Sequence, residues 1–315
     1  MALHTLLGGN GTIAQALYPL LLESGARVRL VSRSSPSVPG AESVAADMLD
    51  REAVMKAVAG SDVVYLLVGI AYDARVWKRD WPVIMQNVVD ACKASRARLM
   101  FFDNAYMYGK QDGVITEETP YRPVSKKGEI RAGVARMLER EMQTGGLQAA
   151  IVRAVDFYGP GVTDKSAPGI FVFANLVKGR RAMWPVNADV PRSFNYVPDA
   201  AKAMVLLAND SRTWGETWHL PSVLPAPAGR EFVRIAAGSL GTAGKVTVLP
   251  KWLLKAAGWF VPFMREAYEM LYQDEFAFRF SSEKFEKAFQ FVPVSFEEGI
   301  RETARWFMKE KGNPG

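Results

Sequence analysis

The amino-acid sequence predicts an α/β fold in which helices cover both faces of a doubly wound parallel sheet. Three observations carry this prediction. Short apolar runs alternate with helical patterns, a glycine-rich turn follows the first run, and the run from Asp62 to Val68 is almost continuously apolar. A strand that is covered on both faces has such a continuous run, and strict alternation of strand and helix indicates right-handed βαβ units.

The elements of the first half can be assigned in chain order. The strand Leu3–Leu7 ends in glycines, and apolar residues at helical spacing follow it as far as Gly25. The next predicted elements are strand 28–31, strand 43–46, helix 52–59, strand 62–68, a helix after Pro82, strand 99–102, helix 130–142 and strand 149–152. Beyond Val155 the pattern loosens, and prolines and aromatic residues become frequent.

The composition excludes several classes of protein. Of 315 residues, 49% are hydrophobic and 23% are charged, which is typical of a globular domain. The single cysteine, Cys92, excludes an internal disulfide framework, and no basic-then-apolar leader precedes the first strand, so we expect a cytoplasmic protein. The net charge is +6, but the sequence contains no dense Lys/Arg run with interleaved aromatics. We therefore expect an anionic small ligand and no nucleic acid.

One late stretch, Trp252–Met264, is the most apolar part of the second half. It contains Lys255 and Pro262, and it is shorter than the roughly 20 apolar residues that a bilayer span needs. We expect no stable membrane insertion. A packed helix is the favoured interpretation, and an amphipathic surface anchor is the alternative.

The first turn has the residues and the context of a dinucleotide-binding site. It follows a strand, opens a helix and consists of Gly8, Gly9, Asn10, Gly11, Thr12, Ile13 and Ala14. Glycines let the backbone approach a pyrophosphate closely, and the helix N-terminus presents N–H groups and a positive dipole end to it. A small residue such as Ala14 permits close packing of helix on sheet. The alternative is a tight turn that binds no ligand.

The end of the second strand predicts which cofactor binds. NAD-binding folds usually have an acid there for the ribose 2′-hydroxyl, whereas an arginine suits the 2′-phosphate of NADP. The sequence has Ser32, Arg33 and Ser34 and no acid, which favours NADP(H) while NAD(H) remains possible. Arg33 as a solvated loop residue is the alternative. After the third strand, Asp47 is expected near the adenine ring, and the adjacent Met48 is a further expected cofactor-binding residue.

Together with later motifs, these residues resemble the extended short-chain dehydrogenase/reductase family, which includes the NAD-dependent epimerases and dehydratases. The resemblance covers nearly the whole chain and includes Met107-Tyr108-Gly109, residues 116–120, Arg153, residues 157–161 and residues 194–201. It implies a Rossmann-type sheet with a smaller, interleaved C-terminal substrate region. The dinucleotide-binding domain would be 1–155, and 156–315 would hold the remaining sheet elements and a mixed α/β region. The further cofactor contacts it implies are Val68, Gly69, Asn104, Lys127, Ala154, Asp156 and Phe157.

The catalytic pattern departs from that of the family, so the chain resembles an atypical member. Family members have Ser or Thr shortly before the Tyr-Gly pair, and later a Tyr-x-x-x-Lys whose Tyr is the general acid/base. Here those positions are Asn104 and Lys127-Gly128-Glu129-Ile130-Arg131. In the isoflavone-reductase-like relatives a lysine donates the proton, a role that the resemblance would give to Lys127.

The helical periodicity indicates that Lys127 and Arg131 face inward, whereas Arg136 and Arg140 face solvent. A buried cation needs a partner, and phosphate, ribose hydroxyls or substrate would be suitable. The helix N-terminus and Arg131 both disfavour the charged form of Lys127, and the Asn104 amide can orient an oxygen. The catalytic candidates are Lys127, Asn104, Arg131 and Tyr106. Alternatives are Tyr108 and Tyr158 as donors, Asp103 as a base, and a role of the Lys127–Arg131 pair without proton transfer.

Two functions follow as competing hypotheses. The first is an NADP(H)-dependent oxidoreductase or epimerase/dehydratase-like enzyme that acts on a small carbonyl or alcohol, and the second is a non-catalytic NADP(H) sensor or scaffold. An RNA-associated relative is a weaker third hypothesis. We interpret His4, His219 and Trp184 as structural, although Trp184 could line a substrate pocket, and no Cys/His cluster suggests a metal. A small-molecule substrate and a possible homodimer are the expected partners.

Overall fold

The computed structural model of the chain describes residues 1–34, 38–164 and 166–312. Its strands are β1 Leu3–Leu7, β2 Arg27–Ser32, β3 Ala41–Ala45, β4 Val63–Leu66, β5 Arg98–Asn104, β6 Val114–Ile115, β7 Ala149–Ala154, β8 Phe157–Tyr158, β9 Ala182–Pro185, β10 Asn195–Tyr196, β11 Thr217–His219, β12 Val246–Leu249 and β13 Arg279–Phe280. Its α-helices are α1 Thr12–Glu23, α2 Arg51–Val58, α3 Ala74–Ser95, α4 Lys126–Gln143, α5 Ala174–Leu176, α6 Val197–Asn209, α7 Gly229–Ser239, α8 Lys251–Ala257, α9 Pro262–Ala267, α10 Tyr272–Glu275, α11 Glu283–Phe289 and α12 Phe296–Gly312.

The chain forms two compact units that alternate along the sequence. The first unit consists of residues 1–107, 126–153 and 200–218, and the second of residues 108–125, 154–199 and 219–315. The domain boundaries expected from the sequence, 1–155 and 156–315, stay a prediction.

A seven-stranded sheet in the described part of the chain has the order β11-β7-β5-β4-β1-β2-β3. The pairs from β3 across β2, β1 and β4 to β5 are parallel, with Leu6 of β1 opposite both Leu30 and Tyr65. Every residue of β1, β4 and β7 is buried, as expected for strands covered on both faces. The predicted Rossmann-type α/β fold is therefore confirmed.

Aromatic side chains form the core of the second unit. Tyr158, Phe173, Trp184 and Phe232 are buried in one cluster, and Trp184 packs against Phe232 at 6.1 Å between ring centroids. A Cβ atom at Gly229 would lie 2.3 Å from Trp184, so the indole packs directly against the start of α7. The interpretation of Trp184 as a packing residue is confirmed.

Helix α3 corrects one prediction from the sequence. We expected a helix after Pro82, but α3 begins at Ala74 and continues through Pro82. The Asp73 carboxylate accepts hydrogen bonds from the Arg75 and Val76 amides and so caps the helix. Buried apolar side chains on both sides of the proline, Trp77 among them, stabilise the helix across the position where a proline normally breaks it.

The stretch Trp252–Met264 is also different from the packed helix that we favoured. It contains α8 from its second residue and the first residues of α9. Its aromatic side chains are exposed: Trp252 by 70%, Trp259 by 79% and Phe260 by 84%. A local apolar pattern indicates that a face exists but does not determine whether another element covers it. Within the described residues, no helix combines the length and the apolar character needed to cross a membrane.

Both histidines are buried and hydrogen-bonded, as the structural interpretation predicts. His4 Nδ1 lies 2.9 Å from the Tyr65 hydroxyl, and burial lowers the pKa of His4 below its usual value. His219 Nε2 lies 2.7 Å from the Tyr108 hydroxyl, and its Nδ1 lies 2.7 Å from the Ser281 carbonyl oxygen.

Candidate functional site

The glycine turn between β1 and α1 is tightly constrained by its backbone. The amides of Gly8 and Gly9 both donate to the Val31 carbonyl at 2.9 Å, and the Gly11 amide donates to Gly8. Gly8 has a φ of +101°, and a Cβ there would lie 2.9 Å from backbone atoms of Leu67 and Val68. Only glycine fits this position, because it alone adopts such a φ readily and needs no room for a side chain.

The N-terminus of α1 has the free amides that an anion requires. Gly11 is the N-cap and supplies no side-chain cap, and no acidic residue lies in the first turn. The first N–H groups of a helix have no intrahelical partners and carry the positive end of the helix dipole. Thr12 and Ile13, predicted from the sequence, are the first two residues of this turn. The turn thus fits a pyrophosphate group.

The end of β2 lies beside this turn. Asn10 Nδ2 donates to Ser34 Oγ at 3.1 Å, and Ser32 Oγ donates to the Ser34 carbonyl at 2.6 Å. Arg33 lies between these two serines with its side chain exposed, so its guanidinium is accessible to an anion. These contacts bring together residues that the sequence assigned separately to the pyrophosphate and to the 2′-phosphate.

The loop after β3 contains the residues expected near the adenine ring. Asp47 is exposed, and its carboxylate accepts from the Leu49 amide at 3.0 Å. Met48 is buried, and its carbonyl accepts from Asn87 Nδ2 at 2.9 Å. Asp47 is therefore the more accessible of the two residues.

The other expected cofactor residues follow the ends of two strands. Val68 and Gly69 come after β4, and Ala154 is the last residue of β7. The Asp156 carboxylate already accepts hydrogen bonds within the second unit, from the backbone amides of Phe157 at 2.9 Å and Ala167 at 3.1 Å. Burial raises the pKa of Asp156, an effect that Arg192, 3.4 Å away, opposes.

Lys127 and Arg131 both face the interior of the first unit. Their exposed fractions are 0% and 2%, whereas Arg136 and Arg140 on the other face of α4 are exposed. The inward orientation predicted from helical periodicity is therefore confirmed.

Arg131 takes part in a buried ion network. Its Nε donates to Asp103 Oδ1 at 2.8 Å and its Nη2 donates to the same oxygen. Arg153 Nε lies 3.5 Å from Asp103 Oδ2, and Glu139 pairs with Arg153 at 3.7 Å. The Arg131 guanidinium also lies 4.2 Å from the centroid of the Trp81 ring. The network joins β5, β7 and α4, and it makes Asp103 a structural counter-ion.

The Lys127 ammonium lies over an aromatic ring that the sequence analysis did not single out. Its Nζ lies 4.7 Å from the centroid of the Tyr72 ring, and the Tyr72 hydroxyl lies 3.5 Å from the Tyr106 hydroxyl. Trp77 stacks on Tyr106 with centroids 6.2 Å apart. The spacing of Tyr72, Trp77 and Trp81 before and along α3 is the signal that could have revealed this cluster.

Asn104 has a defined amide orientation. Its Oδ1 accepts from the Tyr106 amide at 3.0 Å, and its own backbone N–H donates to Asp103 Oδ1 at 2.8 Å. Because the oxygen faces this turn, the Nδ2 group is the end that can donate to a bound oxygen atom.

The alternative tyrosine donors lie in the second unit. Tyr108 is fully buried and bonded to His219. Tyr158 packs among Tyr196, Phe232 and Phe296, and burial raises its pKa well above the usual range. Neither environment favours proton donation to a substrate.

Replacing Gly8 with alanine tests the constraint on the turn. We expect a loss in the free energy of unfolding that exceeds the ~1–2 kcal/mol of an unfavourable left-handed residue, because the methyl group would also collide with Leu67 and Val68. Urea titration measures it. The control is Gly25→Ala, since Gly25 has a φ of +82° but nothing within 4 Å of its Cβ position. Equal losses in the two variants would contradict the crowding argument.

Replacing Asp103 with asparagine tests the ion network. The variant leaves the guanidinium groups of Arg131 and Arg153 buried without this counter-charge, so we expect a loss of about 3–5 kcal/mol in the free energy of unfolding. The control is Glu297→Gln, whose ion pair with Arg301 is largely exposed and should contribute less than about 1 kcal/mol. Chemical denaturation measures the free energy of unfolding of both variants. A loss in Asp103→Asn as small as that in the control would count against the network.

Comparison with known proteins adds two relatives that cover most of the chain. The UDP-N-acetyl-alpha-D-glucosaminuronate decarboxylase of Bacillus cytotoxicus is 24% identical over 95% of this chain and 96% of its own length. The 3-diazoavenalumate denitrifying reductase of a Streptomyces species is 27% identical over 81% of this chain and 86% of its own length. Two other curated relatives are matched over only 41% and 42% of their own length.

The fold is shared with solved structures and the sequence with one family. The dTDP-glucose 4,6-dehydratase of Bacillus anthracis, solved in complex with NAD, superposes with a TM-score of 0.81 at 16% identity, over 99% of this chain and 98% of the other. At this identity the similarity concerns the fold. The sequence model of the NAD dependent epimerase/dehydratase family matches residues 5–219, well over half of the chain. The chain therefore belongs to the NAD dependent epimerase/dehydratase family.

Proposed function

We propose that the protein is an NADP(H)-dependent oxidoreductase or epimerase-like enzyme that acts on a small carbonyl or alcohol substrate. The observation that carries the proposal is that a glycine turn, a helix N-terminus without a side-chain cap, Lys127 and Asn104 all belong to one compact unit. Since β1, β4 and β5 are parallel neighbours, the segments after them emerge at the same edge of the sheet. In doubly wound folds this edge is where ligands bind.

The residues present fit a dinucleotide. The turn Gly8–Ile13 would hold the pyrophosphate, Arg33 the 2′-phosphate, and Asp47 the adenine. The nicotinamide ring, when bound, would exchange a hydride with the substrate carbon. Arg33 and the absence of an acid at 32–34 support NADP(H) over NAD(H), although the solved relative from Bacillus anthracis contains NAD.

Lys127 is the proposed general acid/base. In the reductive direction its ammonium gives a proton to the substrate oxygen, and in the oxidative direction the amine takes the proton back. A buried position beside the Tyr72 ring would keep competing water away from this proton. The Asn104 Nδ2 group would donate a hydrogen bond to the same substrate oxygen and orient it.

Arg131 and Tyr106 have supporting roles in this proposal. Arg131 acts through Asp103. Because the Asp103 Oδ1 also accepts from the backbone N–H of Asn104, Arg131 positions the end of β5. Tyr106 would contact the substrate or the nicotinamide ribose, because its ring is only half-buried and its backbone N–H donates to the Asn104 Oδ1.

The second candidate function is a non-catalytic NADP(H) sensor. The observation that favours it is the complete burial of Lys127, which a purely structural cation would share. In this case the cofactor would bind and no substrate would turn over.

Replacing Lys127 with methionine separates the two functions. The variant keeps the aliphatic stem but has no proton to transfer, so we expect turnover to fall by about 10²–10⁴-fold and cofactor affinity to change much less. The measurements are NADPH oxidation across a carbonyl panel and fluorescence titration of the cofactor. Lys126→Met, at an exposed neighbouring position, is the matched control. Unchanged turnover in Lys127→Met would refute the role, and binding without turnover in the unaltered protein would favour the sensor.

Replacing Arg33 with alanine tests cofactor preference. A hydrogen-bonded charge contact contributes roughly 1.5–3 kcal/mol, so we expect at least about tenfold weaker NADPH binding and unchanged NADH binding. Arg51→Ala, which removes another exposed arginine of the same unit, should alter neither. The NADP(H) preference fails if the unaltered protein binds NADH as tightly as NADPH.

A further inference from the structure

The α8–α9 segment, residues 251–267, exposes an unusual concentration of large apolar side chains. Of the sixteen large hydrophobic residues that are exposed in the described chain, six lie between positions 252 and 263. These six are Trp252, Leu253, Trp259, Phe260, Val261 and Phe263. Such a concentration within twelve positions indicates an interaction surface, whereas single exposed apolar residues are ordinary.

The segment is ordered, so its exposed side chains are presented in a defined arrangement. The amides of Trp259, Phe260 and Val261 donate to carbonyls of α8 and continue its last turn. A Cβ at Gly258 would lie 3.0 Å from the Arg265 Cα, so the two helices meet closely at this glycine. In α8 only one residue is buried, and in α9 none is. Trp259, Phe260 and Val261, which lie between the two helices and are exposed, form the apolar tip of the segment, and these contacts fix its backbone.

The charge of the surrounding sequence is one-sided. Residues 232–265 contain no Asp or Glu, and their basic residues are Arg234, Lys245, Lys251, Lys255 and Arg265. Lys255 and Arg265 lie in the segment itself with exposed side chains, whereas Lys251 pairs with Glu275. Glu266, the one acid of the segment, and Glu269, just after it, are half-buried. An apolar tip with exposed cations beside it is complementary to a surface that is apolar within and anionic at its boundary.

We propose that the α8–α9 segment docks the protein peripherally on an anionic lipid surface. Tryptophan and phenylalanine at the tip would enter the boundary between headgroups and acyl chains, where tryptophan is favoured. Lys255 and Arg265 would attract the anionic headgroups. The mode is interfacial, because the two helices of seven and six residues are far too short to span the bilayer.

A second copy of the chain fits this surface less well. A two-fold symmetric contact would bring the same patch of both copies together. It would place the exposed Lys255 and Arg265 of the two copies close to one another, whereas Glu266, the one acid of the segment, is half-buried. Like charges across an interface are unfavourable, whereas anionic lipid removes this repulsion.

Co-sedimentation of the full chain with phosphatidylcholine vesicles, with and without phosphatidylglycerol, tests the proposal. We expect binding only to the anionic vesicles, weaker at high salt because the headgroup attraction is screened. Trp259→Ser with Phe260→Ser should weaken binding at least about tenfold, since a buried aromatic side chain contributes strongly to transfer. Lys255→Ala and Arg265→Ala should each weaken it by about fivefold.

The controls distinguish docking from loss of structure. Because these side chains are exposed, the melting temperature should be the same in all variants. Val292 is an apolar residue outside the segment that is 86% exposed, so Val292→Ser should bind vesicles normally. No binding to anionic vesicles at low salt would overturn the proposal, as would equal binding by the Trp259/Phe260 variant. A second copy would be identified as the occupant instead if the unaltered protein dimerises in sedimentation and does not bind vesicles, and if the Trp259/Phe260 variant no longer dimerises.

Discussion

The buried carboxylate of Asp103 is the interaction on which the centre of the first unit depends. It lies between Arg131 of α4 and Arg153 of β7 at the end of β5, so one side chain ties a helix to two strands of the sheet. Buried cations are stable only with a counter-charge and hydrogen bonds. The Asp103 Oδ1 that accepts from Arg131 also accepts from the backbone N–H of Asn104. The ion network therefore sets the geometry of the residues that face the proposed reaction.

The same network shows how the fold accommodates a cation on the inner face of α4. Arg131 stands where the resemblance implies a lysine, and its planar guanidinium can bond Asp103 through two nitrogens while it lies over Trp81. A lysine would offer a point charge and could not make both contacts at once. Lys127, one turn earlier on the same face, lies over the Tyr72 ring instead. The two cations thus have different surroundings although they share one side of α4.

Aromatic residues show the same contrast on a larger scale in the second unit. Tyr158, Phe173 and Phe232 are enclosed by helices α7 and α12 and form a core. Trp259 and Phe260 have equally apolar rings but lie between α8 and α9 with exposed fractions of 79% and 84%. The hydrophobic effect favours burial of both groups. For the tip, burial requires a surface outside the fold.

By itself, the sequence determined the order of strands and helices, the glycine turn and the inward face of Lys127 and Arg131. These follow from periodicities and turn residues that act over a few positions. Tertiary structure alone decided that Arg131 meets Asp103, 28 residues earlier, that Tyr72 lies against Lys127, and that Trp259 is uncovered. It also decided that α3 continues through Pro82, because packing on both sides outweighs the local penalty. Such contacts depend on which strands become neighbours in the sheet, and no local pattern encodes that order.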